Sequence, residues 1–164
     1  MRRSTASLGS LVFLVVAPGT VAGLIPYWLT DWRVGPAPWP LRALGAALVV
    51  LGAVLLLSCF ARFAWVGRGT PAPLAPPERL VVSGAYAHVR NPMYVAVVAL
   101  ILGQAALLPD LRLVGYAAAV WLATHLFVLA YEEPTLRRSF PEDYQTFFAA
   151  VPRWIPRLTP WRAP

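Results

Sequence analysis

Apolar residues along this chain gather in four long blocks, separated by short polar stretches rich in proline, and do not alternate as in a half-buried strand. The blocks run over about Leu8 to Leu29, Leu41 to Val66, Pro92 to Leu108 and Leu111 to Tyr131. All but the third reach the roughly 20 residues that a helix needs to cross hydrocarbon. The third is 17 residues long, about 25 Å at 1.5 Å per residue, and falls short of a full thickness of roughly 30 Å. Pro92 suits its first helical position, where a missing N–H costs nothing. Pro109-Asp110 leaves room only for a tight turn, so the third and fourth blocks fold back as an antiparallel hairpin. Between the second and third, Gly67 to Pro77 carries four prolines and two glycines, which excludes a regular helix and predicts a stiff, extended connection. The first block follows Arg2 and Arg3 like a secretory signal, with Val21-Ala22-Gly23 as a small-residue cleavage site. Its continuation through Ile25, Tyr27 and Trp28 reads instead as a retained span with an aromatic anchor.

Composition removes the soluble alternatives. Of 164 residues, 59% are hydrophobic and 13% charged, against about 25% charged in an ordinary soluble domain. Mean hydropathy is +0.61. There is too little polar surface to cover a globule of this size, and too much apolar surface for disorder. The fold class is all-α: one domain over residues 1–164, a polytopic membrane bundle of about four transmembrane helices. A cytoplasmic loop (67–91) and the C-terminal segment cap it. The net charge of +7 comes from 14 arginines and no lysine. These flank the apolar blocks and form no stripe, which fits lipid headgroups and argues against nucleic acid. Ten of them fall on one side (residues 2, 3, 68, 79, 90, 137, 138, 153, 157 and 162) and three on the other (33, 42 and 112), with Arg62 near a span end. The bias places both termini in the cytoplasm, in a membrane expected to be the bacterial cytoplasmic one. The single cysteine, Cys59, lies inside an apolar run and excludes a disulfide framework or a cysteine metal site; with two histidines, no metal is expected.

Two polar clusters share the cytoplasmic side. Gly84 to Tyr94 holds Tyr86, His88, Arg90, Asn91 and Tyr94 at the entrance to the third block, and Tyr131-Glu132-Glu133-Pro134 stands where the fourth block returns. Reflection about the Pro109-Asp110 turn sets Tyr94 opposite His125, with the carboxylates a turn or two beyond. Adjacent glutamates at a helix C-terminus repel each other and face the negative end of the dipole. Either they pair with Arg90, Arg137 or Arg138 at the water surface, or they meet a ligand bearing hydroxyls or positive charge. At a membrane edge, neutralising one of them is expected to leave stability unchanged or slightly higher. Arg90 is either an anchor or a carboxylate clamp. His125 is costly in lipid, and either serves function or bonds a neighbouring helix. His88 is expected in solvent, and Phe140 to Phe148 as an amphipathic helix on the membrane surface.

The ordered set Gly84-x-Tyr86-x-x-x-Arg90-Asn91-Pro92-x-Tyr94, Glu132-Glu133, Phe140-x-x-x-Tyr144 and Val151-Pro152-Arg153 resembles the isoprenylcysteine carboxyl methyltransferase and phospholipid N-methyltransferase superfamily, over about residues 68–156. The resemblance implies an integral membrane enzyme that uses S-adenosyl-L-methionine and acts on a lipid or lipidated small-molecule acceptor. It implies cofactor contacts from Tyr86, Arg90, Asn91, Pro92, Tyr94, Glu132, Glu133 and Tyr144, and catalytic roles for Arg90, Glu133 and His125. Asn91 stands where the carboxyl methyltransferases usually have histidine, and Tyr-Glu-Glu-Pro is closer to the phosphatidylethanolamine branch. The Gly-x-Gly motif of that branch is missing from Ser58 to Ala61, and the tail from Phe140 to Pro156 resembles the carboxyl branch. Both acceptors therefore stay open. An amine needs a base, for which His125 is available; a carboxylate needs a cation, for which Arg90 or Arg153 is available. The rival reading is a non-catalytic membrane protein, a transporter subunit or assembly factor, whose polar clusters only anchor helices.

Overall fold

The computed structural model describes residues 3–63 and 80–162, and every regular element among them is helical. Helix α1 (Arg3–Gly19) passes through a π-turn (Thr20–Leu24) into α2 (Ile25–Thr30). Helix α3 spans Trp39–Arg62. A single 3-10 turn (Gly84–Ala87) precedes α4 (Pro92–Leu107). Helix α5 (Leu111–Phe127), a second π-turn (Val128–Glu132) and α6 (Glu133–Ser139) form one run, and α7 (Pro141–Ala150) leaves it at Phe140. Three runs are long and apolar enough to cross a membrane, Leu11–Thr30, Trp39–Arg62 and Leu111–Ser139, and α4 is a shorter apolar helix. The four blocks are thus four helices. The fourth is longer than its hydropathy predicts, continuing past Tyr131 and through Pro134 to Ser139. The end of the second block (64–66) and the proline-rich connection (67–77) lie outside the described residues.

Both interrupted runs have the same cause. A proline stands two positions after each π-turn, Pro26 after Leu24 and Pro134 after Glu132. Proline cannot donate a hydrogen bond, and its ring crowds the preceding turn. Widening that turn makes room: Ile25 N–H bonds back to the Thr20 carbonyl, and Glu133 N–H to that of Val128. In the first run this leaves the carbonyls of Val21 and Ala22, five and four residues before Pro26, without their helical donor. Tyr116 on α5 donates its hydroxyl to Val21 O at 2.8 Å, and Gln104 on α4 donates Nε2 to Ala22 O at 2.7 Å. An unmet carbonyl in hydrocarbon costs several kcal/mol. These two side chains therefore hold the first helix to the α4–α5 hairpin. Asp110 caps α5, accepting from the Arg112 backbone N–H at 2.9 Å. The neighbouring Arg112 guanidinium holds its carboxyl below the usual range.

The closest helix pair is α3 with α4, and small residues permit it. Gly45 and Gly52 on α3 meet Gly103 and Ala96 on α4 in antiparallel register. A Cβ added at Gly103 would stand 2.8 Å from the Gly45 carbonyl oxygen, whereas one added at Gly115 on α5 would meet nothing within 4 Å. Leu56, Phe60, Ala96, Val97, Ile101, Leu113 and Ala117 fill the core beside this seam. The two glycines make a matched test. Gly103→Ala is expected to destabilise the protein by about 1–3 kcal/mol through backbone displacement, while Gly115→Ala leaves it unchanged or raises it by up to about 1 kcal/mol through helix propensity. Thermal unfolding in detergent measures both, and equal midpoints for the two variants would refute the close seam.

Candidate active site

Three stretches distant in sequence meet at one end of the bundle: the residues before α4, the junction of the second π-turn with α6, and the strap after α7. The strap is laced to the segment before α4 by backbone bonds. Arg90 N–H donates to Pro152 O at 2.9 Å, Arg157 N–H to His88 O at 2.9 Å, and Trp161 N–H to Ala87 O at 2.8 Å. His88 Nδ1 is 2.8 Å from the Arg157 carbonyl, which can only accept, so His88 is a structural donor and not the solvated side chain expected. Asn91 is buried and donates Nδ2 to Arg153 O at 3.1 Å. Its amide serves the strap.

Glu133 sits at the centre. Its Oε1 accepts from Arg90 Nη1 at 3.0 Å and Arg153 Nε at 2.7 Å, and its Oε2 from Arg153 Nη2 at 3.1 Å. Arg153 thus grips the carboxylate with two parallel bonds, and that bonding keeps its guanidinium charged. The side chains of Arg90 and Glu133 are only 9% and 10% exposed. One carboxylate faces two guanidiniums, so the cluster keeps a surplus positive charge. Phe148 offsets part of it: the guanidinium carbons of Arg90 and Arg137 lie 4.0 Å and 4.3 Å from its ring centre. Arg90 Nε is buried with no hydrogen-bond partner among the described residues, and an orphaned N–H beside surplus positive charge suits an anion.

Glu132 behaves differently. Its Oε2 accepts the Tyr94 hydroxyl at 2.8 Å, and among the described residues no cation pairs with it. The π-turn separates the duties of the two glutamates, sending one to the arginines and the other to Tyr94. His125 is reached through a residue that the sequence does not single out. Trp154 on the strap donates its indole N–H to His125 Nδ1 at 3.0 Å, and its ring lies 6.4 Å from that of Tyr94. Indole only donates, so Nδ1 is an acceptor and the imidazole is neutral, with its hydrogen on Nε2. In this arrangement His125 has no free lone pair with which to take a proton.

The other candidates are buried side chains around the same end of the bundle. Pro92 is buried as the first residue of α4. Tyr86 is buried against Cys59 and Val81, edge-on to Phe63 at 5.6 Å. Tyr144 is buried with Phe147 and Val151 and packs on Phe148 at 5.8 Å. Burial pushes both phenols above their ordinary range, so they are neutral at physiological pH and not bases. The apolar face of α7 packs on protein where a lipid contact is expected, Phe148 lying against Arg90 and Phe147 against Trp161 of the strap.

The stability expectation for the glutamates divides accordingly. Glu133 is not at a water edge, and Glu133→Gln leaves two guanidiniums without their counter-charge. It is expected to cost about 2–4 kcal/mol, somewhat below a fully buried pair because Arg153 is partly exposed. Glu132→Gln keeps an acceptor for Tyr94 and is expected to cost less than about 1 kcal/mol. Thermal midpoints in detergent separate the two, and a Glu133→Gln protein as stable as Glu132→Gln would contradict the buried cluster.

The phospholipid methyltransferase family profile matches residues 41–143, from the first turn of α3 into α7. That stretch contains Arg90, Asn91, Pro92, Tyr94, Glu132 and Glu133, and stops short of Arg153 and Trp154. No curated protein matches the chain. With well over half its length matched, and with the matched motifs meeting at one end of an apolar helical bundle, the chain belongs to the phospholipid methyltransferase family, a group of membrane methyltransferases.

Proposed function

We propose that the chain moves a methyl group from S-adenosyl-L-methionine to the amine of a membrane lipid, at the cytoplasmic face expected from its arginine bias. One observation carries the reading. A surplus-positive pair, Arg90 and Arg153 with the unpartnered Arg90 Nε, lies beside a carboxylate, Glu132, that no described cation neutralises. Such a plus–minus arrangement is complementary to an amino-acid head, in which a carboxylate and an ammonium share one carbon. Arg90, with Arg153 behind it, receives the carboxylate; Glu132 receives the ammonium or ribose hydroxyls; Glu133 holds both guanidiniums in place. When bound, the cofactor supplies an electrophilic methyl group on a sulfonium. The chain's own work is to position the two partners and exclude water.

An amine acceptor fits better than a carboxylate. In this reading Glu133 and the cofactor's carboxylate take up both guanidiniums, and the remaining surface beside Tyr94 is acidic and aromatic, which repels an anionic acceptor and attracts a cationic one. His125 supplies no free base in this geometry and Glu132 is engaged by the cofactor, so the amine gives its proton to water before it attacks.

Calorimetry on detergent-purified protein tests the cofactor half. S-Adenosylmethionine is expected to bind, and Glu132→Gln to weaken binding by about 10- to 150-fold, the worth of one charge-assisted hydrogen bond. Arg90→Lys is expected to be comparably damaging, because an ammonium cannot reproduce the fork. No heat at millimolar cofactor would end the reading, and silence in both variants would remove those residues from the site. The acceptor half is tested with methyl-labelled methionine in cells with and without the protein. Label is expected in lipid amines; label confined to prenylated carboxylates would reverse the choice of acceptor.

A further inference from the structure

The cap at the end carrying the site buries its large apolar side chains, with two exceptions. Beyond Tyr131, only Ile155 and Leu158 among the described residues are exposed, by 80% and 98%. Both lie on the strap, in the stretch Trp154-Ile155-Pro156-Arg157-Leu158. The depth of the strap decides what meets them. Counted along α5 from Leu111, at the opposite end, Trp121 stands about 15 Å in, His125 about 21 Å and Glu132 about 31 Å, against roughly 30 Å of hydrocarbon. Trp154 donates to His125 Nδ1 at 3.0 Å, and its ring lies 6.1 Å from that of Trp121. Its indole thus reaches about 10 Å past the level of Glu132 toward the middle of the span. Ile155 follows it by one Cα step of about 3.8 Å. The strap's backbone suits that depth. Pro152, Pro156 and Pro160 have no N–H to satisfy. Arg157 and Trp161 donate theirs to the carbonyls of His88 and Ala87. The carbonyls of Pro152, Arg153 and Arg157 accept from Arg90 N–H, Asn91 Nδ2 and His88. Irregular backbone is tolerated beside lipid where protein meets its polar groups. From Tyr144 to Pro164 the sequence carries three arginines and no acidic residue, so a negatively charged leaflet attracts this segment.

We infer that the strap is a membrane anchor in its own right. Ile155 and Leu158 enter the acyl–headgroup boundary of the leaflet on the site's side, and Arg157 and Arg162 reach back to lipid phosphates. The lipid contact expected of α7 is made instead by the segment that follows it. Arg153 and Trp154 immediately precede Ile155, so lipid contact adds to the Arg153 fork on Glu133 in holding the strap against α6. This anchoring is independent of which acceptor the chain methylates.

The test uses the full-length protein in nanodiscs of phosphatidylcholine and phosphatidylglycerol. Its one thiol, Cys59, is buried, so the unsubstituted chain is the labelling blank. Ile155→Cys, Leu158→Cys and, at an exposed position of α7, Gln145→Cys each carry an environment-sensitive fluorophore. The probes at 155 and 158 are expected to lose most of their emission to a phosphatidylcholine spin-labelled high on its acyl chain, and little to aqueous iodide. The probe at 145 should do the reverse. Iodide quenching at 155 or 158 as strong as at 145 would overturn the anchor. Equal lipid quenching at all three would overturn it too, because the contact would then belong to the whole cap. A second readout needs no probe. Ile155→Asn combined with Leu158→Asn removes little protein packing, since both side chains are exposed. It is nevertheless expected to speed trypsin cleavage after Arg157 by about 10-fold or more, as the strap leaves the leaflet. Cleavage at the unsubstituted chain's rate would show that lipid does not hold the strap.

Discussion

One carboxylate, Glu133, decides how this end of the molecule is assembled. It is the shared partner of Arg90, from the segment before α4, and Arg153, from the strap after α7. Neither arginine is near the other in sequence. A buried ion cluster is a poor route to stability, since desolvating charges costs several kcal/mol per ion and apolar residues of equal volume often do as well. What it provides is orientation. The planar Arg153 fork fixes the strap against α6 and brings Trp154 beside Tyr94 and His125. The same cluster leaves Arg90 Nε unpartnered among the described residues, so the arrangement that closes the fold also leaves it electrically incomplete on the side of the site.

The glutamates reach those positions because of a proline. A helix in hydrocarbon must satisfy its own backbone, and a proline breaks that rule for the carbonyls behind it. The chain answers both instances with a π-turn ending two residues earlier, at Leu24 before Pro26 and at Glu132 before Pro134. In the first helix the loose carbonyls are tied down by Tyr116 and Gln104, and the outcome is architectural. In the last run the π-turn ends on Glu132 itself, and the widened ring changes the direction of the side chains that follow. One device thus builds the bundle in one place and the site in another, which agrees with the frequency of π-turns at functional positions.

The sequence made the membrane class and the four apolar blocks legible because hydropathy is a local property, summed over some 20 residues at a time. The short α4, its start at Pro92 and its turn at Asp110 were readable for the same reason. The hairpin turn alone set Tyr94 opposite His125 with the carboxylates a turn or two beyond; in the structure the Tyr94 hydroxyl reaches Glu132, and its link to His125 runs through Trp154. What escaped depended on contacts between segments of unrelated periodicity. The strap is an irregular stretch that meets the segment before α4 through its own backbone, including the carbonyls that His88 and Asn91 bond, so nothing in residues 152–162 announces that those two are its anchors. Trp154 follows a recognised Val-Pro-Arg motif but carries no charge or period of its own. Arg90 was among the partners foreseen for the glutamates, and it does bond Glu133; the reading of Glu133 as a water-edge charge failed because local sequence cannot show that Arg153, 20 positions after it, closes on the same carboxylate and buries it.

The length of α4 gives the site its depth. Its 16 residues span about 24 Å, roughly 6 Å less than the hydrocarbon thickness, while the neighbouring α3 has 24 residues and exceeds it. Packed tightly along α3 through Gly45 and Gly52, α4 therefore stops short at one end of the bundle. At the end carrying Pro92, the shortfall is occupied by Arg90 and Asn91 with the strap bonded across them. The strap, bonded across the segment before α4, and Phe148 of α7 against Arg90 already cover that end of the bundle. On the proposed reading, a lipid acceptor would be held near that end by its own acyl chains, so acceptor and site would be matched in height before any specific contact is made.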